Sequence, residues 1–212
     1  MLSRSAHCSA GHLSSSADSL GDIPQLEVLR AADGAQAVEP AAVLLPTPYG
    51  SVKVDVLEVR QIEIDHPSDD PGDRLHASAH AWANDSASDM TIAVIRAHSN
   101  IVEVTTPVAE PGPLIAMKLQ AVMNRSGDKQ GTDLLDIVHL ALDAATRPAA
   151  MAQISSIDTS IARDIALHVD LWFKERREQS LQRIRAAGDR DIATDDLDLV
   201  AELLTDATDH RR

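Results

Sequence analysis

One lysine of the sequence lies where a charged side chain is not expected. Residues 113–125 have the spacing of an amphipathic helix, and Lys118 projects into the middle of its apolar face. That face is formed by Leu114, Ile115, Ala121 and Val122. An ammonium group withdrawn from water is costly without an anion beside it, so its position predicts a nearby carboxylate. Asp133 can supply it, because only a short turn joins this helix to the next predicted one.

The elements that would position this pair divide into a strand-rich part and a helical part. Alternating or β-branched runs predict strands at 51–59, 61–65, 75–82, 91–97 and 101–105. Apolar spacing at the helical period predicts helices at 24–33, 113–125, 132–144, 158–187 and 194–207. The sequence thus predicts an α/β (α+β) fold, with an irregular segment 1–22, an α/β core 23–110 with a mixed sheet, and a C-terminal helical bundle 111–212.

Composition limits the class of protein. The chain of 212 residues is 44% hydrophobic and 25% charged, which is typical of one large or two small globular domains. No run approaches the roughly 20 apolar residues of a membrane helix, and the N-terminus lacks the apolar region of a signal peptide. Cys8 is the only cysteine, which excludes an intrachain disulfide. We therefore expect a cytoplasmic protein with no membrane partner.

The charge balance argues against broad, non-specific binding of nucleic acid. The formal net charge is −14, so the chain as a whole repels a phosphate backbone. One predicted helix nevertheless concentrates basic residues: Lys174, Arg176, Arg177, Arg183 and Arg185. Since Glu175 and Glu178 are interleaved with them, two interpretations stay open: a solvated helix face with internal ion pairs, or a local RNA-contacting patch.

The predicted helix pair resembles the second conserved block of the AbiEii/MenT-type nucleotidyltransferases, toxins of bacterial abortive-infection and toxin–antitoxin systems. That block is a helix with the pattern L-x-A-x-K-L-x-A, a short basic turn, and then K/R-D-L-x-D-L. This sequence is similar at Lys118, Asp133 and Asp136, and it departs at Thr132, where the family has a basic residue. The resemblance covers roughly residues 25–145.

The resemblance implies a nucleotidyltransferase-like sheet and a metal-dependent enzyme that transfers nucleotides from an NTP to an RNA acceptor, with tRNA 3′ ends as the favoured class. Lys118 would contact the nucleotide phosphates, and Asp133 would orient Lys118 or assist the attacking hydroxyl. Asp55, on the polar face of the predicted strand 51–59, would bind Mg²⁺. From the strand pattern alone, Asp55 could equally be a surface aspartate. A cognate antitoxin protein would be the partner.

The first motif of the family is where this sequence departs most. The family usually has a Gly-Ser or Gly-Gly turn followed by Asp-x-Asp, and the best match is the segment 14–22. Ser16 would then lie at the nucleotide-binding turn and Asp18 would be a metal ligand, but the second aspartate is absent. Metal-dependent phosphoryl transfer needs several converging carboxylates. The departure therefore favours a rival hypothesis, a catalytically degenerate nucleotidyltransferase fold that acts as a binding or regulatory module.

Each candidate residue also has a purely structural interpretation. The Lys118–Asp133 pair could be a buried salt bridge that ties two helices together. Asp136 and His139 fall on the polar side of their predicted helix, which indicates solvated side chains. His168 has no second ligand pair at metal spacing and is predicted to be a surface residue. An unrelated α/β protein that shares the helix-pair pattern by chance is the third hypothesis.

Overall fold

A computed structural model describes the chain at residues 24–48, 50–56, 59, 61–95 and 101–209. The chain divides into two compact units, Met1–Glu58 and Val59–Arg212. The segment 1–22, which contains Ser16 and Asp18, lies outside the described residues. The predicted α+β class is confirmed, because helices occur together with two small antiparallel sheets.

In its described residues, the first unit is a small sheet with one helix packed on it. Its strands β1 (Gln36–Glu39), β2 (Ala42–Thr47) and β3 (Gly50–Asp55) are antiparallel and adjacent in that order. Helix α1 (Pro24–Arg30) packs on this sheet by burying Leu26 against Val43 of β2. The apolar contact holds the helix to the middle strand, and most side chains of β3 are exposed.

The second unit begins with two helices and a hairpin. Helices α2 (Gln61–Asp65) and α3 (Pro71–Asp85) precede the antiparallel pair β4 (Ser88–Ile95) and β5 (Ile101–Val108). The strands predicted at 91–97 and 101–105 are thus confirmed over the residues that the structure describes.

The strand predicted at 75–82 is wrong, because this segment lies in the middle of α3. Its apolar residues alternate, but Leu75, Ala79 and Ala83 also recur every four residues, and all three are buried on one side of the helix. The position of Asp70 favours a helix over a strand in this segment. Its carboxylate caps the helix by accepting hydrogen bonds from two backbone amides of the first turn, at 2.8 and 3.0 Å.

The strand predicted at 61–65 is also wrong, since these residues form α2. The alternating Ile62 and Ile64 are 61% and 43% exposed, so they form no buried sheet face. The amide of His66 donates to the carbonyl of Ile62 at 2.9 Å, which closes a helical turn instead. A run of five residues is too short for its alternation to separate a strand from a turn of helix.

Helices form the rest of the described chain after β5. They are α4 (Pro111–Asn124), α5 (Gly127–Leu142), α6 (Arg147–Ser155), α7 (Thr159–Val169), α8 (Arg177–Ala186) and α9 (Thr194–Thr208). These helices share an apolar core in which Leu119, Ile137, Ile165 and Leu204 are fully buried. Helix α6 has no counterpart among the predicted elements. None of the helices in the described residues is long and apolar enough to cross a bilayer.

The predicted helix 158–187 is interrupted by a π-helical segment, Asp170–Glu175. The amide of Arg176 donates to the carbonyl of Leu171 at 2.9 Å, a spacing of five residues. The neighbouring carbonyl of Trp172 instead accepts a hydrogen bond from the hydroxyl of Ser180 at 2.7 Å. The side-chain hydroxyl thus satisfies a buried backbone group at the point where α7 and α8 are separated.

A glycine controls how closely α5 approaches α8. A β-carbon at Gly131 would lie 2.3 Å from the backbone oxygen of Arg183, which is shorter than any real contact. We expect Gly131→Ala to lower the free energy of unfolding by roughly 1–3 kcal/mol, because the two helices must separate. Urea denaturation measures this loss against Gly127→Ala, where an added β-carbon meets nothing within 4 Å. Equal stability of the two variants would contradict the close packing.

Candidate functional site

Helices α4 and α5 form a hairpin that brings three charged side chains together. The ammonium nitrogen Nζ of Lys118 on α4 donates to Asp133 Oδ1 on α5 at 2.8 Å. It also donates to Asp136 Oδ2 at 2.6 Å. The predicted contact between Lys118 and Asp133 is therefore confirmed. The lysine side chain is 29% exposed, so it lies at the edge of the apolar face and not at its centre.

The predicted solvated position of Asp136 is confirmed in part. Its side chain is 48% exposed, but its carboxylate is bound to Lys118. Residues three apart on a helix are neighbours, so Asp133 and Asp136 present their carboxylates to the same point above α5. A flexible four-carbon lysine chain can reach both of them at once.

Asp133 is the buried centre of the cluster. Its side chain is 0% exposed, although it carries a carboxylate. Besides Lys118, it has a second cation close by: Arg125 Nη1 donates to Oδ1 at 3.3 Å and lies 3.2 Å from Oδ2. Arg125 follows the last residue of α4 and is 47% exposed. Sequence reasoning did not single out Arg125, although the basic turn between the two helices of the family pattern was the signal that could have found it.

The charge on Lys118 is stabilised by its partners. Burial lowers the pKa of its ammonium group, but the hydrogen bonds that it donates to Asp133 and Asp136 and the charges of both carboxylates raise the pKa more. The net shift is upward, so Lys118 stays cationic throughout the neutral range and cannot act as a base there. The stability that the cluster contributes is present below the ordinary lysine pKa, and it is lost only as the pH rises through the raised value.

Asp55 lies at the end of β3 in the first unit, whereas Lys118 and Asp133 belong to the second. Its side chain is 59% exposed, which agrees with its predicted place on the polar face of the strand. Asp55 Oδ1 is 3.1 Å from Nζ of Lys53, and the same nitrogen donates to Glu39 at 2.9 Å. Asp55 is therefore part of an exposed ion-pair cluster on the first sheet.

The predicted Mg²⁺ site can be tested on its donor groups. Among the described residues, no three or more His, Cys, Asp or Glu side chains converge closely enough to hold a metal ion. Asp55 supplies one carboxylate that is shared with Lys53, and Ser16 and Asp18 lie outside the described residues. The described residues thus supply one carboxylate of the several converging ones that a two-metal centre needs.

Two histidines predicted to be surface residues differ in their surroundings. His139 is 59% exposed, as predicted, with Nε2 3.6 Å from Asp189. His168 is only 5% exposed, so its prediction is wrong. Its ring nitrogen Nδ1 is 2.7 Å from the carbonyl oxygen of Asp164, one turn earlier in α7. This bond to the helix backbone lets the imidazole be buried without a metal or a carboxylate partner.

The basic concentration on the C-terminal helices is partly neutralised. Lys174 pairs with Asp170 at 2.6 Å, and Arg177 pairs with Asp198 at 2.8 Å. The guanidinium groups of two further arginines, Arg176 and Arg183, stack on the ring of Trp172. Their Cζ atoms lie 5.0 and 5.4 Å from the ring centroid. These contacts favour the interpretation of a helix face with internal pairing over an RNA-contacting patch.

Comparisons with known proteins find no relative of this chain. No family model matches the sequence. No curated protein is similar to it at a significant level. No solved structure matches it either.

Proposed function

We propose that this chain is a nucleotidyltransferase-like toxin component of a toxin–antitoxin system, which transfers nucleotides from an NTP to an RNA acceptor such as the tRNA 3′ end. A cognate antitoxin protein would neutralise it, and Mg²⁺ would be the cofactor. The observation that supports the proposal best is a lysine held 2.8 Å from a fully buried aspartate, on the helix pair that carries the family pattern. The α+β fold class agrees with it.

In this proposal Lys118 binds a phosphate group in place of Asp136 and keeps its hydrogen bond to Asp133. Asp133 is fully buried and stays in place, whereas Asp136 is about half exposed and can rotate into water. A triphosphate that displaces Asp136 would find an ammonium group already positioned by Asp133. The RNA hydroxyl oxygen attacks the α-phosphorus, pyrophosphate leaves, and the hydroxyl proton passes to solvent. Lys118 stabilises the negative charge that develops on the phosphates, and the buried position of Asp133 favours an orienting role for it.

The transfer reaction can be tested directly. The full chain is incubated with Mg²⁺, total tRNA and each of the four α-³²P-labelled ribonucleoside triphosphates, and the RNA is separated on a denaturing gel. We expect label in the tRNA band with at least one nucleotide, and we expect that a terminal phosphodiesterase removes it. Absence of label with all four nucleotides, and with Mn²⁺ in place of Mg²⁺, would contradict the transfer activity.

One observation favours the second candidate, a degenerate nucleotidyltransferase fold that acts as a binding or regulatory module. The charges of the cluster are matched, with Lys118 and Arg125 opposite Asp133 and Asp136. Asp55 likewise has its own cation, Lys53. The charges of the cluster thus balance without a nucleotide, while the buried Oδ2 of Asp133 has no hydrogen-bond partner among the described residues. Saturable binding of a nucleoside triphosphate with no transfer of label would favour this candidate over the enzyme.

The exchange of partners predicts the effect of removing Asp136. We expect Asp136→Asn to lower the Kd for the bound nucleoside triphosphate about three- to tenfold, because it removes a competing carboxylate beside Lys118. Isothermal titration calorimetry with each of the four nucleotides measures the change. Glu202→Gln is the matched control, since it makes the same charge change on the exposed face of α9. Equal effects of the two variants would mean that each only reduces the general repulsion between the acidic chain and the nucleotide. This result would contradict the displacement of Asp136 by the triphosphate.

A further inference from the structure

The chain bends where the π-helical segment meets α8, at Arg176. Ser180 follows Trp172 by eight residues, which would be roughly 12 Å along an uninterrupted helix. Instead, the hydroxyl of Ser180 donates to the carbonyl of Trp172 at 2.7 Å. The beginning of α8 is therefore folded back towards the π-helical segment, and the indole ring of Trp172 lies buried at this bend.

Two buried N–H groups at the bend have no acceptor among the described residues. They are Nε1 of Trp172, a residue that is 2% exposed, and Nη1 of Arg183. The two side chains are in contact, since Cζ of Arg183 lies 5.4 Å from the ring centroid. Unpaired buried donors are rare in native proteins, because they lose hydrogen bonds to water without replacement. Indole and guanidinium nitrogens only donate, so both groups need an acceptor.

The bend also carries two cations without an anion. The guanidinium group of Arg176 lies over the same ring, with Cζ 5.0 Å from the centroid. Neither this group nor that of Arg183 has a hydrogen bond or an ion pair with a described residue. The neighbouring Lys174 and Arg177, by contrast, each pair with an aspartate. Two unpaired arginines on one ring, in a chain of net charge −14, indicate an anion from outside the chain.

The surroundings of Arg176 limit the size of this anion. Arg176 is exposed, and it lines a surface cavity of about 350 Å³ that is formed by residues 174–179. The lining includes Glu175 and Glu178, whose carboxylates repel a long polyanion. The Arg176 side chain is held by its contact with the ring, so it can turn aside and admit a small ligand. The buried donors leave no room for a bulky substituent on it.

We propose that the bend binds a free phosphate ion, held by the guanidinium groups of Arg176 and Arg183 and by the indole N–H of Trp172. Guanidinium groups match the oxygens of phosphate in geometry as well as in charge. A phosphate group with a free terminus carries close to two negative charges near neutral pH, which balances the two arginines. A carboxylate or a phosphodiester carries only one. The site has no part in the proposed nucleotide transfer at Lys118.

Nitrogen-15 NMR of the full chain tests the proposal, because only two tryptophans give indole signals. Trp82→Phe identifies the signal of Trp172. Inorganic phosphate is added at about pH 8, where the dianion predominates, with the ionic strength held constant. We expect the Trp172 signal to move saturably while the Trp82 signal stays in place. AMP, which has the same charge but is larger, and dimethyl phosphate, which has a single charge, should each bind at least about tenfold more weakly.

Two variants and a matched control test the donors. Arg183→Met and Arg176→Met should each raise the Kd for phosphate about tenfold, because each removes a charge-assisted partner. Arg185→Met removes the same charge from α8, two residues from Arg183 and thus on another face of the helix. The Arg185 guanidinium donates to the carbonyl of Ile192, and its loss should change the Kd by less than about twofold. Since Arg176 is exposed, its variant tests the site even where Arg183→Met does not fold.

Three results would overturn the proposal. A Trp172 signal that does not move saturably would mean that the two arginines only cover the ring. Equal affinity for AMP or dimethyl phosphate would identify a phosphate monoester or an RNA backbone as the ligand instead of the free ion. Equal weakening by Arg185→Met and by the other two variants would mean that α8 attracts phosphate by its general charge, without a site.

Discussion

Replacing Lys118 by methionine is expected to lower nucleotide transfer by roughly 10²–10³-fold, because it removes a cation placed at the charge that develops on the phosphates. Methionine keeps the length and apolar stem of the side chain. Asp133 is then left with Arg125 alone, and Asp136, which is already half exposed, turns to solvent. The initial rate of label incorporation into tRNA, at matched concentrations of folded protein, measures the loss.

Lys174→Met provides the control for this prediction. Lys174 is also paired with an aspartate, Asp170, at 2.6 Å, but both of these side chains are about half exposed, on the π-helical segment. Its replacement removes the same charge from the chain and should leave the transfer rate within about twofold, since exposed pairs contribute little. If both variants transfer label as fast as the original chain, Lys118 is a structural residue and the proposed chemistry is wrong.

The largest expected effect on stability comes from the ion pair between Arg74, which is 26% exposed, and the buried Asp164. Arg74→Met leaves the carboxylate of Asp164, which is 1% exposed, without its cation. We expect the free energy of unfolding to fall by about 3–5 kcal/mol, because an uncompensated charge is then buried. The carbonyls of Ser68 and Asp69 also lose their donor. Urea denaturation followed by circular dichroism measures the change.

Two further variants sharpen this prediction. Arg177→Met breaks an exposed pair with Asp198 and should cause a much smaller loss of stability. The double variant Arg74→Met/Asp164→Leu should recover part of the loss, because removing both charges avoids the buried carboxylate. A midpoint of unfolding for Arg74→Met that equals that of Arg177→Met would contradict a buried, stabilising pair.

The sequence predicts elements well where one period dominates. Helices α4, α5 and α9 have apolar stripes at helical spacing, and their existence is confirmed. In α3 the residues at 75, 79 and 83 satisfy the helical period while the same segment also alternates. The outcome there depends on the cap at Asp70 and on packing against other helices, and a periodicity count does not contain either of them.

The candidate site, too, could be predicted from the sequence only in part. The contact of Lys118 with Asp133 is predictable because both helices are adjacent in sequence and joined by a short turn. The roles of Asp136 and Arg125 depend on how far long side chains reach, and angular position on a helix does not give this. The burial of His168 depends on helices distant in sequence. Local pattern therefore identified the centre of the cluster but not its boundary.

The contact between Lys118 and a bound nucleotide is tested most directly by NMR of the Lys118 ammonium group. The chain contains four lysines, so ¹⁵N-lysine labelling gives few side-chain Nζ signals, and the loss of one in Lys118→Arg assigns it. A non-hydrolysable nucleoside triphosphate is then added until binding is saturated. We expect the Lys118 signal to move saturably while the Lys174 signal does not. A Lys118 signal that stays unchanged at saturating nucleotide would contradict this contact.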